Sequence, residues 1–468
     1  MQWQTLIRSR SHLFSILTST STLLHLHQTL AFTITSGLLH DPFSAARLIA
    51  AVAATDLSLA HLTFLHSPTP SAFAFNSLIR AHSSGPSPSV SLLLFRRMLR
   101  RRLHPDRFSF PFLFRAAARA TTDPNLVFSL HSLALRHGVS LDPFVATSLL
   151  HAYASFDAFD SALKVFDEMP LRTIVTWNAV ISCCSKSARN LHGLTLFSAL
   201  LQWRDLRANA DTLIAALSCC KGLNTLCHGK SLHALAIRLW LDALVELSTS
   251  LVHTYVKCGG LDYAKKVFDE MPERDVSAWT AMIGGMAMHG RGEEAAELFR
   301  QMKVSGIEPD SLTFTSVLHA CSHCGLVEMG MRIFEEMEER KVVRMEHYGV
   351  VVDMLGRAGL MEEAEKFVER MDMEPSREVW GALLNGCLVN GEVEMGKRLE
   401  RKCVELGLGL GLGKEGGGFM VGVSNVYARE GRWEEVGMVR ERMMEKKIRK
   451  EKGFSLVERG PMISCRSF

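Results

Sequence analysis

The sequence predicts an all-α solenoid, one helical hairpin repeated and stacked, and three observations carry that prediction. The hexapeptide Val-Phe-Asp-Glu-Met-Pro stands at Val165–Pro170 and again at Val267–Pro272, 102 residues later. Its flanks agree on the same offset: Thr176-Trp177-Asn178-Ala179-Val180-Ile181 lies over Ala278-Trp279-Thr280-Ala281-Met282-Ile283, and Ala74-Phe75-Asn76-Ser77-Leu78-Ile79 stands 102 residues earlier. Apolar residues also recur at i, i+3, i+4 and i+7, one face of a helix, at Ala162, Val165, Phe166 and Met169, then Ala264, Val267, Phe268 and Met271, then Ala295, Leu298, Phe299 and Met302, then Ala364, Phe367, Val368 and Met371. Each such helix follows another apolar one, such as Ser250–Val256 or Val350–Leu355. The unit is therefore a hairpin of roughly 30–36 residues, which cannot bury its apolar faces alone and must stack into a superhelix with a concave groove.

Bulk properties agree. Of 468 residues, 47% are apolar and 22% charged, the balance of a folded soluble chain. Such a length would ordinarily imply about three domains; a stack implies one continuous core instead. No run of about 18 uncharged apolar residues occurs, so no membrane span is expected. The nearest stretch, Leu48–Leu65, is interrupted by Asp56 and His61. Eleven cysteines, several adjacent (Cys183-Cys184, Cys219-Cys220) and within apolar helical patterns, read as reduced buried thiols without a disulfide framework.

Taken in order, the first forty residues hold no acid, and Arg8 and Arg10 sit among serines and threonines. That is the composition of an organelle transit peptide, so residues 1–20 are set aside from the fold. A secretory signal fits less well, because Ser, Thr and His break the apolar stretch Leu13–Leu30. Residues 1–140 contain thirteen arginines, no lysine and four acids, whereas the whole chain carries only +4. The basic excess favours a polyanion in the N-terminal portion, with an arginine-solvated helix face as the alternative. Further on, the hairpin signals are local. Glu293 and Glu294 suit the positive end of their helix, Gly290 and Gly292 break the preceding one, and Gly306 and Pro309 end it.

The period, Trp177-Asn178-Ala179-Val180-Ile181, Tyr255-Val256-Lys257-Cys258-Gly259, and VFDEMP followed by Glu273-Arg274-Asp275 resemble a plant pentatricopeptide-repeat (PPR) protein. More narrowly they resemble the subfamily that alternates standard, long and short motifs. The resemblance implies a right-handed α-solenoid superhelix of helix-turn-helix repeats over residues 23–376. Standard motifs fall at 72–106, 174–209 and 276–310; long motifs at 107–142, 210–244 and 311–344; short motifs at 42–71, 143–173, 245–275 and 345–376. A partial long motif precedes them near Leu23–Asp41. Val379-Trp380-Gly381-Ala382-Leu383-Leu384, Ser424-Asn425-Val426-Tyr427-Ala428 and Gly431-Arg432-Trp433-Glu434-Glu435-Val436 resemble the subfamily's E-type extension, over residues 377–458. Gly453-Phe454-Ser455-Leu456-Val457-Glu458 resembles its end, and residues 459–468 form a short tail.

Repeats of this kind read about one base each with two or three side chains. The resemblance assigns that role to the fifth and last residue of each motif. In the standard motifs these are Asn76 with Asp106, Asn178 with Asn209, and Thr280 with Asp310; in the short motifs, Thr147 with Thr173 and Thr249 with Asp275. A carboxylate can only accept, so the aspartates suit the ring N–H of uracil or guanine, and the amide donor of Asn209 suits the ring acceptor of cytosine or adenine. By resemblance, Asn at the fifth position favours pyrimidine and Thr favours purine. This implies U at 72–106, a pyrimidine at 174–209, and G at 245–275 and 276–310. The competing expectation is that these residues are helix caps and turn formers. The long motifs offer Pro111, Ile214 and Thr315 at the fifth position and Asp142, Leu244 and Arg344 at the last, and they imply spacing without a base.

Other signals are weaker. Cys321-Ser322-His323-Cys324, with His319 upstream, has metal-like spacing but no second pair, so core cysteines are expected and no metal or cofactor is assigned. Gly407–Gly418 holds Gly413-Lys414, yet Leu408 occupies the first glycine position of a phosphate loop and Glu415 follows the lysine, so a flexible loop is expected. Neither the His-x-Glu nor the Pro-Cys-x-x-Cys of a zinc deaminase occurs, so no catalytic residue is assigned. The resemblance, its E-type extension above all, thus implies a site-recognition factor for cytidine-to-uridine editing of organellar transcripts. Its expected partners are single-stranded organellar RNA and, through the E-type extension, a deaminase-bearing PPR protein and editing cofactors. The expected location is a plant organelle, mitochondrion or chloroplast with the mitochondrion favoured. An RNA splicing, stability or translation factor, and a protein-binding helical scaffold, are the alternatives.

Overall fold

The computed structural model describes residues 23–35, 37–203, 205–405, 421, 424–425, 427–428 and 431–445. The expected transit peptide at 1–20, the glycine-rich segment 407–418, the end of the E-type extension and the tail at 459–468 lie outside the described residues. Among the described residues all regular structure is helical, and no helix is long and apolar enough to cross a membrane.

The helices fall into two compact units, Met1–Leu223 and Asn224–Phe468. The first holds α1 (Leu23–Thr35), α2 (Pro42–Val52), α3 (Leu57–His66), α4 (Ala72–Ser84), α5 (Ser89–Arg100), α6 (Phe110–Ala120), α7 (Asn125–Arg136), α8 (Pro143–Ser155), α9 (Phe159–Glu168), α10 (Ile174–Lys186), α11 (Asn190–Gln202) and α12 (Ala210–Leu223). The second holds α13 (Leu226–Arg238), α14 (Val245–Lys257), α15 (Leu261–Glu270), α16 (Val276–Met288), α17 (Gly292–Val304), α18 (Ser311–Cys324), α19 (Val327–Glu339), α20 (Met345–Arg357), α21 (Met361–Glu369), α22 (Arg377–Asn390), α23 (Val393–Glu405) and α24 (Trp433–Glu445). From α2 to α22 the even-numbered helices are the first helix of each hairpin and the odd-numbered ones the second.

Within each unit the first helices pack on one another in sequence, α2 to α12 and then α14 to α22, and the second helices form a layer behind them. The seam is built from one repeated apolar pair. Leu78-Ile79, Leu113-Phe114, Leu149-Leu150, Val180-Ile181, Leu251-Val252, Met282-Ile283, Val317-Leu318, Val351-Val352 and Leu383-Leu384 are all buried. Each such side chain contributes about 1.5–3 kcal/mol when fully removed from water, and it is the neighbouring repeat that removes it.

The repeated hexapeptide has a structural account. Phe166 and Phe268 are buried at the ends of α9 and α15, and each meets the tryptophan of the following helix edge-on at 4.9 Å, Trp177 and Trp279 respectively. The arginine two residues after each proline then folds back. Arg172 donates to the carbonyls of Phe166 (3.1 Å) and Asp167 (2.9 Å), and Arg274 to those of Phe268 (2.8 Å) and Asp269 (2.9 Å). These carbonyls close a helix, where those of Phe166 and Phe268 also accept the N–H of Met169 and Met271, so a cation suits them twice, as a further donor and as countercharge.

Cys183, Cys184, Cys219, Cys220, Cys258, Cys321, Cys324 and Cys387 form no disulfide, as the sequence suggests. Cys227, exposed on α13, departs from that reading and is disulfide-bonded. Cys321 is buried, which pushes its thiol up to about 11, and Cys324 accepts the backbone N–H of Gly292 at 3.2 Å, so the metal-like pair is spent on packing one hairpin against the next.

Candidate nucleic-acid interface

The fifth residue of each motif lies near the start of a first helix, and the last residue lies in the turn before the next first helix. Stacking brings the two together. Asn76 Nδ2 donates to Asp106 Oδ1 at 3.0 Å, Asn178 Nδ2 to Asn209 Oδ1 at 3.1 Å, and Thr249 Oγ1 to Asp275 Oδ1 at 3.0 Å. Thr280 reaches Asp310 through a third residue: its Oγ1 is 2.7 Å from Thr313 Oγ1, which lies 2.7 Å from Asp310 Oδ1. Four of the five sequence-predicted pairs are thus assembled. The fifth is not. Thr147 Oγ1 donates to the Pro143 carbonyl at 2.6 Å, while the Thr173 hydroxyl caps α10 by accepting the Thr176 N–H at 3.4 Å. Each hydroxyl is occupied by its own helix.

Two expectations for these positions hold at once. Asp275 and Asp310 are the N-caps of α16 and α18, accepting the N–H of Ala278 and Thr313, both at 2.8 Å. The same residues meet the fifth position of the preceding repeat. Capping therefore orients the side chain and leaves part of it to spare. The bonds of Asp106, Asp275 and Asp310 all fall on Oδ1, and among the described residues Oδ2 of each has no hydrogen bond. Asn209 Oδ1 is turned inward by the Thr212 N–H (3.0 Å), and its Nδ2 donors have no partner among the described residues. The last positions therefore present an acceptor at Asp106 and a donor at Asn209 in the first unit, and acceptors at Asp275 and Asp310 in the second. Exposure divides the pairs as well. Asn76, Thr249 and Thr280 are buried, whereas Asp275 and Asp310 are exposed.

Sequence reasoning missed a third member. Ser109, Thr212 and Thr313, three residues past the last position, each hydrogen-bond both partners or bridge them. Ser109 Oγ lies 2.8 Å from Asn76 Oδ1 and 3.0 Å from Asp106 Oδ1, and Thr212 Oγ1 lies 2.7 Å from both Asn178 Oδ1 and Asn209 Oδ1. The available signal was the spacing Asp/Asn-x-x-Ser/Thr, a capping-box pattern. In the first unit this turn also delays the helix: α6 begins only at Phe110, because Phe108 N–H is bound to Asp106 Oδ1 (3.0 Å) and Pro111 has no N–H to give.

Sequence reasoning also missed a column of exposed aromatics. Phe43 (49% exposed), Phe73 (47%), Phe108 (51%) and Phe144 (50%) are the second residues of four successive motifs. Guanidinium groups lie over three of them, Arg47 at 5.6 Å from Phe43 and 5.2 Å from Phe73, and Arg107 at 4.9 Å from Phe108. Exposed aromatic faces beside arginines are what bases stack on and phosphates pair with. The signal was the second column of the repeat register.

The long motifs contribute caps. Asp142 accepts the N–H groups of Phe144 (3.0 Å) and Val145 (3.4 Å) and pairs with Arg107 at 3.9 Å, and Thr315 Oγ1 bonds back to the Ser311 carbonyl at 2.9 Å.

Family models match this chain in several places. The PPR repeat model matches residues 144–174, 175–203, 247–276, 312–342 and 346–374, the PPR repeat family model matches 274–323, and the E motif model matches 392–458. The chain is 33% identical over 420 residues to the pentatricopeptide repeat-containing protein CRR2, chloroplastic, of Arabidopsis thaliana, covering 88% of this chain and 63% of that protein. It is 37% identical over 461 residues to the pentatricopeptide repeat-containing protein OGR1, mitochondrial, of Oryza sativa subsp. japonica, covering 96% of this chain and 77% of that one. It is 35% identical over 490 residues to the pentatricopeptide repeat-containing protein At5g61800 of Arabidopsis thaliana, covering 93% and 97%. Among solved structures it is similar to the pentatricopeptide repeat protein PPR10 in complex with an 18-nt psaJ RNA element, with a TM-score of 0.70, 18% identity, and coverage of 94% of this chain and 64% of that one. At that identity the likeness concerns the fold.

Proposed function

Since the chain belongs to the pentatricopeptide-repeat family, we propose that it is a site-recognition factor for cytidine-to-uridine editing of an organellar transcript. It binds single-stranded RNA through the row described above and recruits a deaminase carried by another chain. The observation that carries the RNA reading is the pairing of fifth and last residues into hydrogen-bonded couples whose unbonded atoms, at the last position, differ in kind. Asp106 with Asn76 reads U, Asn209 with Asn178 reads a pyrimidine, and Asp275 with Thr249 and Asp310 with Thr280 read G. An outward carboxylate oxygen accepts the ring N–H of uracil or guanine, and an outward amide donates to the ring nitrogen of cytosine. Thr147 and Thr173 retain a weaker role, because neither hydroxyl faces the other.

The E motif match at 392–458 supports the editing role. The relatives' names, chloroplastic and mitochondrial, support an organellar location. The deciding experiment is organellar RNA sequencing of a null plant, complemented with full-length and truncated chains. Truncation after Asn390 keeps α22 over the apolar face of α20, so a nearest-neighbour stack should survive it. The truncated chain should bind RNA and fail to restore the lost editing site. A folded, RNA-binding truncation that restores editing refutes recruitment by the tail, and a null plant with every site edited and a splicing defect refutes editing itself.

A further inference from the structure

We propose that the arginine cluster at the end of α5 is a second polyanion contact, which grips phosphates of the RNA strand outside the row that reads bases. This rests on the RNA-binding function proposed above. Arg96, Arg97, Arg100, Arg101 and Arg102 fall within seven residues, and all five are exposed. Among the described residues none of them stands in an ion pair; Arg97 lies 5.7 Å from the Phe64 ring. Their surroundings offer no carboxylate helix to lean on. α5 belongs to the layer of second helices, and neither α5 nor the second helices before and after it, α3 and α7, contain a single Asp or Glu. The first acid after the cluster, Asp106, is held by Asn76 and by the Phe108 N–H.

The same layer of the second unit shows how this scaffold otherwise treats such cations. α17 lies 204 residues after α5 in repeat register. There Arg300 pairs with Glu297, and Lys303 reaches Glu336 of α19 at 2.8 Å. Arg340, just past α19, bridges Glu308 (2.7 Å) and Glu336 (2.9 Å). Where α17 is a neutralised ladder, α5 is an unscreened cluster whose mutual repulsion opposes the compact state unless an anion is drawn in.

The anion is an RNA backbone because of where the cluster stands. The turn carrying Arg101 and Arg102 hands the chain directly to Asp106, four residues on, so a strand read at Asp106 passes this end of α5. Guanidinium groups bind phosphate oxygens two at a time, and phosphates are the same whatever the base. The cluster should therefore add affinity and salt dependence without sequence preference.

The test measures anisotropy of a short labelled oligouridine, sized to the reading row, and of a longer one, through a potassium chloride series. The full chain should bind the longer oligomer more tightly and with steeper salt dependence. The fivefold variant Arg96→Gln, Arg97→Gln, Arg100→Gln, Arg101→Gln and Arg102→Gln should lose that advantage and lower the log–log salt slope by about 2–3, at roughly 0.7 per phosphate contact on single strands. Its preference for uridine over adenosine in the short oligomer should not change. The corresponding fivefold lysine variant, which keeps the charge, should retain most of the slope. An unchanged slope in the glutamine variant overturns the inference, as does a base preference lost together with the slope. So does an unchanged slope combined with lost binding to phosphatidylglycerol vesicles, which assigns the cluster to a lipid surface. No RNA binding by the full chain overturns this inference and the proposed function together; normal binding with an unaltered variant overturns this inference alone.

Discussion

In the first unit the second column of the repeat carries Phe43, Phe73, Phe108 and Phe144, half-exposed, with Arg47 over the first two and Arg107 over the third, before it passes to Val175 and Asp211. In the second unit the same column holds Glu246, Ser277, Leu312 and Glu346, and several cations of the second helices pair with carboxylates, as in Lys303–Glu336 and Arg398–Glu365. The assembled pairs differ too: their fifth residue is Asn in the first unit and Thr in the second, while Thr147 of the first unit joins no pair. One scaffold thus carries exposed aromatic faces beside guanidinium groups in one unit, and ion-paired cations with hydrogen-bonded aspartates in the other. On the RNA-binding function proposed above, affinity and specificity would be separable along the chain.

The sharpest way to break that comparison is to remove the aromatics. Phe73→Ala with Phe108→Ala should weaken binding to all RNA sequences alike, by about 1–3 kcal/mol per stacked base lost. Anisotropy with oligomers of different base composition checks it, and a sequence-dependent loss would place these rings in base selection. Next in size is Asp310→Asn in the second unit. It replaces an outward acceptor with a donor and should shift preference at one position from G towards A, by about 1–3 kcal/mol. Competition binding with single-base variants reads it; equal loss for all four bases would mean that Asp310 acts only as the cap of α18.

Smaller effects test the balanced half. Lys303→Met removes a half-exposed ion pair, so it should cost at most about 1 kcal/mol of stability, less at high salt. Thermal melts at two salt concentrations measure it, and a larger, salt-independent loss would trace to the packing of Lys303 on Phe299, 5.4 Å away. The last prediction should treat both units alike. His131 bonds the buried Tyr153 hydroxyl at 2.8 Å and His233 that of Tyr255 at 3.0 Å, and burial holds both histidines below the usual 6.5. A group whose folded pKa is depressed takes its proton more readily when unfolded. Its stabilising effect is therefore complete above pH 6.5 and fades as pH falls below it. The melting temperature should drop on acidification through that window, and His131→Gln with His233→Gln should flatten the drop. A wild-type melting temperature that rises there would contradict the sign.

The hairpin register was legible almost to the residue. Motif starts at 42, 72, 143, 174, 210, 245, 276, 311 and 345 coincide with α2, α4, α8, α10, α12, α14, α16, α18 and α20. Helical periodicity and a repeated tryptophan flank are local, additive signals, and every copy reinforces them. The pairing of Asn76 with Asp106 was legible only by resemblance, since nothing in a helical pattern says that residues 30 apart will share a hydrogen bond. Ser109, Thr212 and Thr313 were not legible as site residues, because each looks like an ordinary first-turn hydroxyl until the preceding repeat is laid beside it. The phenylalanine column was overlooked for the opposite reason. Apolar residues are expected to be buried, and only the structure shows that these four are not.

Because Ser109, Thr212 and Thr313 belong to the following repeat, three of the four assembled pairs are completed by two modules; the fourth, Thr249 with Asp275, has Ala278 at that place. Residues sharing one hydrogen-bond network do not act additively. A cassette exchanged at the motif boundary, after residue 106, 209 or 310, would import a fifth and last residue but leave behind the hydroxyl that aligns them. Splice points placed instead after 109, 212 and 313 would move the three together. Swapped arrays built on these two sets of joints should differ in fidelity though their nominal codes are identical, and protein engineers recombining such chains would choose the later joint.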